Sequence, residues 1–262
     1  MFHKLLFVTG VLAVSSVANA ADNGLQQYGL SFSGNVALTS DYRFRGQTQT
    51  QNDPALQGTF TLAHDSGVYI SVFSSNVDFG GVSPHLELDP SIGYTTKLPL
   101  SSTLQPVLDT GLAYYNYPSG HGLNYPEIYA RLTFADAFVK GDSITPSIAY
   151  SNNYGGNSTK NSEGHRINNW NFNLAYAVPF ADTGFGGVAS VGYSKANHKI
   201  AVYGNDDNYI DWKAGVTYNV KSINGLTAEL DAVGTNIDTA GYDHVAKRGV
   251  DTGAMFSLTK TF

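Results

Sequence analysis

The sequence predicts an all-β fold: a transmembrane antiparallel up-and-down β-barrel of twelve strands, following a cleaved N-terminal signal peptide. Three observations carry this expectation. Residues 31–46 (SFSGNVALTSDYRFRG) alternate over about twice the five or six residues of an ordinary strand. Phe32, Val36, Leu38, Tyr42 and Phe44 share one parity, and Ser33, Asn35, Thr39, Asp41, Arg43 and Arg45 share the other. About nine to eleven tilted residues carry a strand across a bilayer, with apolar residues toward lipid and polar ones toward the lumen. The second observation is the leader: Lys4, an apolar run too short to span, and the small-x-small pattern Ala18-Asn19-Ala20 that signal peptidase cuts after. The third is the C-terminus, MFSLTKTF, where Phe256, Leu258 and Phe262 lie on one parity.

Composition agrees. The 262 residues include no cysteine, 28 glycines, 17 tyrosines, 14 phenylalanines and only 14% charged residues. Low charge with many aromatics excludes a disordered chain. Beyond the leader no run is apolar enough for a spanning helix, so any membrane crossing must be made by strands. Removal of Lys4 with the leader leaves 14 basic against 21 acidic residues, a formal charge of about −7. Such a chain lacks the concentrated Lys and Arg that nucleic-acid binding requires.

Taken in order, residues 1–20 are the signal peptide, 21–30 a short periplasmic lead and 31–262 the barrel. The first strand, 31–46, is followed by a polar loop and then by 55–64, where Leu56, Phe60 and Leu62 alternate with Gln57, Thr59 and Thr61. Asp65-Ser66-Gly67 is a tight turn. The third strand, 68–78, is apolar on both parities in its first half, so its faces stay open. The fourth, 85–95, sets Leu86, Leu88, Ile92 and Tyr94 against Glu87 and Asp89. Strands at 104–117, 127–134 and 144–154 follow, bringing Asp109, Glu127 and Arg131.

After the polar stretch 155–169, the eighth strand, 170–178, carries Trp170, Phe172, Leu174, Tyr176 and Val178 on one parity. The ninth covers 187–195. In the tenth, Ile210, Trp212, Ala214, Val216 and Tyr218 alternate with Asp211, Lys213 and Thr217. The eleventh, 226–235, holds Glu229 and Asp231, and 236–247 forms the last long loop. An even count with short turns on one side and longer loops on the other is the asymmetry of outer-membrane barrels. A soluble barrel would turn the same apolar rows inward, but twelve long aromatic strands would overfill it.

The first strand also resembles a known family. Its motif Asn35-Val36-Ala37-Leu38-Thr39-Ser40-Asp41-Tyr42-Arg43-Phe44-Arg45-Gly46 is similar to the opening motif of the TorF family of porin-like proteobacterial outer-membrane proteins. Further similarity lies at Ser75-Asn76-Val77-Asp78-Phe79-Gly80, at Glu87 and Asp89 before Gly93-Tyr94, and at Tyr115-Asn116-Tyr117-Pro118 before Glu127. The resemblance implies a barrel in the outer membrane of a Gram-negative bacterium with pore activity, and names no solute. The last strand likewise resembles the C-terminal signature read by the barrel-assembly machinery, which makes that machinery, periplasmic chaperones and outer-membrane lipid the expected partners.

The inward parities gather Asp41, Glu87, Asp89, Asp109, Glu127, Asp211, Glu229, Asp231 and Asp251 against Arg43, Arg45, Arg131 and Lys213. A water-filled lumen with that balance favours cations among small hydrophilic solutes. In a narrow interior, Arg43 and Arg45 would instead pair with Glu87 and Asp89 as a structural network. The histidines lie in or near loops and strand ends, outside G-x-S-x-G or H-E-x-x-H settings, so no catalytic residue is assigned. Asn205-Asp206-Asp207-Asn208 offers oxygen ligands without the spacing of a calcium loop, and no metal or cofactor is expected. The competing readings are a plugged barrel with lipid-directed enzymatic activity and an adhesive surface barrel acting through 155–169 and 236–247.

Overall fold

The computed structural model describes residues 24–81, 84–101, 105–161 and 163–262. The signal peptide with Ala18 and Ala20 lies outside them. The strands are β1 (Leu30–Thr39), β2 (Arg43–Phe44), β3 (Gln47–Thr48), β4 (Ala55–His64), β5 (Val68–Asn76), β6 (Leu86–Lys97), β7 (Val107–Tyr115), β8 (Tyr125–Ala135), β9 (Ser143–Ser151), β10 (Asn169–Pro179), β11 (Phe185–Ile200), β12 (Asp206–Asn219), β13 (Leu226–Thr235) and β14 (Gly253–Thr261). Twelve of them form a closed antiparallel barrel in sequence order, sealed where β1 meets β14. The other two, β2 and β3, pair only with each other. No helix among the described residues is long and apolar enough to cross a membrane.

Alternation decides which side chains face out. Leu56, Ile70, Ile92, Leu112, Ile128, Leu174, Val216 and Leu230 all stand exposed on the outer surface. Glu87, Asp89, Asp109, Glu127, Asp211 and Asp231 sit buried on the opposite parity. Exposed aromatics collect toward both ends of this apolar band. Tyr94, Phe138, Phe180, Phe185 and Tyr218 lie at the short-turn end, and Tyr114, Trp170 and Tyr193 at the long-loop end. Amphipathic rings at both edges of an apolar band are the pattern of a barrel set in lipid.

The predicted second and eleventh strands coincide with β4 and β13. Others move by a few residues. β11 runs on to Ile200 and β12 starts at Asp206, so 205–208 is mostly strand rather than loop. Asp207 there is bound by Lys195 at 2.6 Å, which supplies the charge a calcium ion would have brought. The open question of the third strand is settled by β5: Tyr69, Ser71, Phe73 and Ser75 face inward, and Val68 and Ile70 face out.

The first strand is the main correction. β1 ends at Thr39, and 40–54 turns into the barrel instead of continuing along its wall. The alternation persists through Gly46 because β2 is itself extended, but both of its faces lie inside the barrel. Tyr42 and Phe44 therefore pack inside, against Phe73 and Tyr115 at ring separations of 5.8 and 5.4 Å, rather than facing lipid. Asp251 is also displaced: it lies in the loop after the short helix α1 (His244–Arg248), not on the barrel wall.

Candidate functional site

The lumen divides into two layers. Toward the long loops it is filled by two apolar clusters. One contains Tyr125, Tyr154, Ile167, Tyr203 and Tyr209, and the other Tyr42, Val77 and Tyr117. Tyr115 packs against both. Below them the wall carries small polar groups, among them Asn35, Thr59, Ser71, Ser91, Ser147, Asn173 and Ser257, around a cavity of about 420 Å³. Asp89, Glu127, Arg131, Asp211, Lys213 and Glu229 face this cavity.

Between the layers lies the β2–β3 hairpin. Phe44 pairs with Gln47, leaving Arg45 and Gly46 as a two-residue tip with φ of 51° and 78°. That is the left-handed geometry of a tight hairpin turn. A Cβ at Gly46 would stand 2.5 Å from Thr235 Cγ2, so only glycine fits there. The hairpin is anchored at its base by Arg43. Its guanidinium bonds the Asp41 carboxylate, Asn52 Oδ1 at 3.1 Å, and the carbonyls of Gly46, Arg248 and Gly249 at 3.0, 2.8 and 2.6 Å. Asp41 also accepts from the hydroxyls of Thr48 and Thr50 at 2.6 and 3.1 Å.

At the tip, Arg45 reaches the opposite wall and meets Glu127 of β8 at 2.7 Å. Its carbonyl accepts the Tyr209 hydroxyl of β12 at 3.0 Å. The hairpin is thus a bar across the lumen, tied to β8, β12 and the loop before β14. The expected pairing of Arg43 and Arg45 with Glu87 and Asp89 does not occur. Glu87 accepts the Tyr117 hydroxyl at 2.8 Å, and Asp89 accepts the Asn116 N–H at 2.9 Å. Burial and the Glu87 carboxylate push the hydroxyls of Tyr42 and Tyr117 well above their ordinary values, so both stay protonated donors.

Two further networks brace the wall. Asp109 accepts the Tyr69 hydroxyl at 2.6 Å, Tyr69 meets Tyr129 at 2.6 Å, and Arg131 lies 3.7 Å from Asp109. Lys213 bonds Glu229 at 2.6 Å and lies 3.7 Å from Asp231. Four of the inward groups face a glycine directly across the sheet: Tyr69 faces Gly93, Tyr129 Gly111, Asp211 Gly192 and Asp231 Gly215. A Cβ at any of those glycines would collide with its partner. Of the inward tyrosines, the sequence places Tyr129 on the parity of Glu127 and Arg131 and leaves the others unassigned. Their signal was parity, since Tyr115, Tyr125 and Tyr129 share the frame of Asp109 and Glu127.

Elsewhere, His64 Nδ1 and Ser66 Oγ lie 2.9 Å apart, and the same nitrogen accepts the Ser66 N–H at 3.1 Å. This exposed contact closes the 65–67 turn. No group of three or more metal-ligating side chains occurs among the described residues. Of the C-terminal residues, Phe256 and Leu258 face outward, exposed. Phe262 instead seals the seam: its N–H and carbonyl each bond Gly34 at 3.0 Å, and its ring lies 6.0 Å from Phe60.

A family model matches residues 25–262, nearly all of the described chain. The chain belongs to the Gcw_chp family. That family is described as bacterial proteins of unknown function. A search of curated proteins found no match for this Gcw_chp chain. Among solved structures it is similar to the NanC porin, with TM-score 0.53 and 10% identity over 88% of this chain and 99% of that one. A second, from work on in-meso crystallization of membrane proteins, gives TM-score 0.51 and 10% identity over 88% and 83%. The outer membrane protein OprD from Pseudomonas aeruginosa gives TM-score 0.42 and 14% identity over 89% of this chain and 65% of that one. The Gcw_chp chain thus shares the closed β-barrel fold of the NanC porin, here with twelve strands and an apolar outer band.

Proposed function

We propose that the protein is an outer-membrane channel of the porin type, passing small hydrophilic solutes passively and preferring cations. The observation that carries this reading is the cavity of about 420 Å³, with charged and small polar side chains in its lining, inside a closed barrel whose outer band is apolar. Eight carboxylates stand on the wall and hairpin (Asp41, Glu87, Asp89, Asp109, Glu127, Asp211, Glu229 and Asp231) against Arg43, Arg45, Arg131 and Lys213. A low-dielectric wall focuses such a field on a passing ion. The motif similarity to the TorF family supports the same reading. In biogenesis the signal peptide directs export, and chaperones and the assembly machinery act on the C-terminal strand.

The outer layer of tyrosines favours a second reading, a barrel plugged at its outer end. Planar-bilayer recording of the refolded mature protein separates the two. Discrete openings with a cation-selective reversal potential are expected in a salt gradient; a folded barrel that stays silent would remove the channel. Lipid hydrolysis without conductance would mark the enzymatic version of the plugged barrel.

A further inference from the structure

We infer that Arg45, held on the inward hairpin, is the residue that sets charge selectivity in the lumen. The inference deepens the channel reading and rests on it for its conductance arm. Three observations lead there. First, Arg45 occupies a left-handed position, φ 51°, where a two-residue turn ordinarily carries Asn, Asp or Gly. A long cationic side chain is disfavoured in that conformation, so the backbone gives no reason for its presence.

Second, the two arginines of the hairpin divide the work. Arg43 is saturated by contacts at the base, and with Thr48 N–H on the Gly249 carbonyl at 2.8 Å it fixes the hairpin without help from Arg45. Arg45 spends one nitrogen on Glu127, lies over the Phe44 ring at 4.7 Å, and leaves Nη1 without a hydrogen-bond partner. Glu127 Oε2 and Asp211 Oδ2 are also unpartnered. A strut would be expected to close those bonds. Third, Arg45 carries its charge from the hairpin tip to Glu127 of β8, on the wall of the cavity that Asp211 of β12 also faces. It is the one cation the hairpin carries across to the far wall, where it offsets the acidic field of the cavity.

A unit charge roughly 7 Å from a passing ion changes that ion's local population by about threefold in a water-like medium. Removing that charge raises the cation's population and lowers the anion's, so Arg45→Gln should raise the cation-to-anion permeability ratio about sevenfold. Glu127→Gln should lower it by a similar factor, and Arg45→Lys should hold the original ratio. A purely structural Arg45–Glu127 tie predicts something different: both neutral variants would unseat the hairpin and shift the ratio in the same direction.

The native chain has no cysteine, which allows a test independent of conduction. Ser91→Cys places one thiol on the cavity wall. Its modification rates with a trimethylammonium-bearing and a sulfonate-bearing methanethiosulfonate reagent report the local field, in folded protein with Arg45 and with Arg45→Gln. The expected result is faster reaction with the cationic reagent, by a margin that widens about sevenfold in Arg45→Gln. An unchanged rate ratio overturns the assignment of Arg45, whatever the bilayer recordings show. Failure of both reagents to react, with the denatured protein reacting normally, overturns it as well by showing that no water path reaches the cavity. Silent bilayers with a shifted rate ratio instead retire the channel and leave Arg45 as the charge-setting residue of a closed vestibule.

Discussion

At the residue scale, one rule of geometry accounts for most of the lumen. Glu87, Asp89, Asp109, Glu127, Arg131, Asp211, Lys213, Glu229 and Asp231 lie on the wall because period-two alternation put them on the parity opposite to Leu, Ile and Val. Alternation cannot name a partner, so the pairing of Arg45 with Glu127 had to come from the fold. Tyrosine was equally hidden, since an amphipathic ring suits both a lipid interface and a polar interior. Pairing Tyr69 with Gly93 tests how tightly that interior is fitted. Gly93→Ala should destabilise the barrel by about 1–3 kcal/mol in denaturant unfolding, because the methyl meets the Tyr69 ring. In a Tyr69→Ala background the same change should cost far less. Equal costs in both backgrounds would mean that the glycine is there for another reason.

At the scale of elements, strands were legible and the inward hairpin was not. Residues 55–64 and 226–235 read cleanly because one face meets lipid and the other the lumen, which is the condition that alternation measures. In 40–54 that condition fails: the segment lies inside the barrel, so Tyr42 and Phe44 keep the alternation but lose its meaning. Turns show a different logic. In 136–142, on the short-turn side, the Asp142 carboxylate accepts the N–H groups of Ala137, Phe138 and Val139 and the Tyr176 hydroxyl. Burial works to raise its pKa, but the Val139 N–H, the Tyr176 hydroxyl and the other N–H groups outweigh it and hold the carboxyl below its ordinary value. A depressed folded pKa stabilises above the unfolded value, near 3.9, and that stability is lost as pH falls through the folded value. Asp142→Asn should therefore lower the urea midpoint at pH 7, with the gap to the native protein closing as pH falls below about 4. A gap that persists undiminished at pH 2 would show that the turn depends on shape rather than on the charge.

At the scale of the whole molecule, closure rests on the seam between first and last strands. β1 and β14 share five paired positions, Asn35 with Thr261 through Thr39 with Ser257, whereas β1 and β4 share ten. Phe262 extends that short seam by its two backbone bonds to Gly34 and by its ring against Phe60. The terminal residue therefore has a structural role that the sequence pattern, read as an assembly signature, did not include. The two roles separate experimentally. Removing Phe262 deletes two hydrogen bonds and part of one aromatic contact, worth about 1–3 kcal/mol together, and the remaining pairs should still close the barrel in detergent. The refolded truncated protein is expected to keep its β-sheet circular dichroism and melt only several degrees lower. If the last strand is also the assembly signature that its pattern resembles, accumulation in the outer membrane of cells should fall much more than that loss of stability explains. A drop in cells no larger than that of an equally destabilised variant such as Gly93→Ala would assign Phe262 to the seam alone.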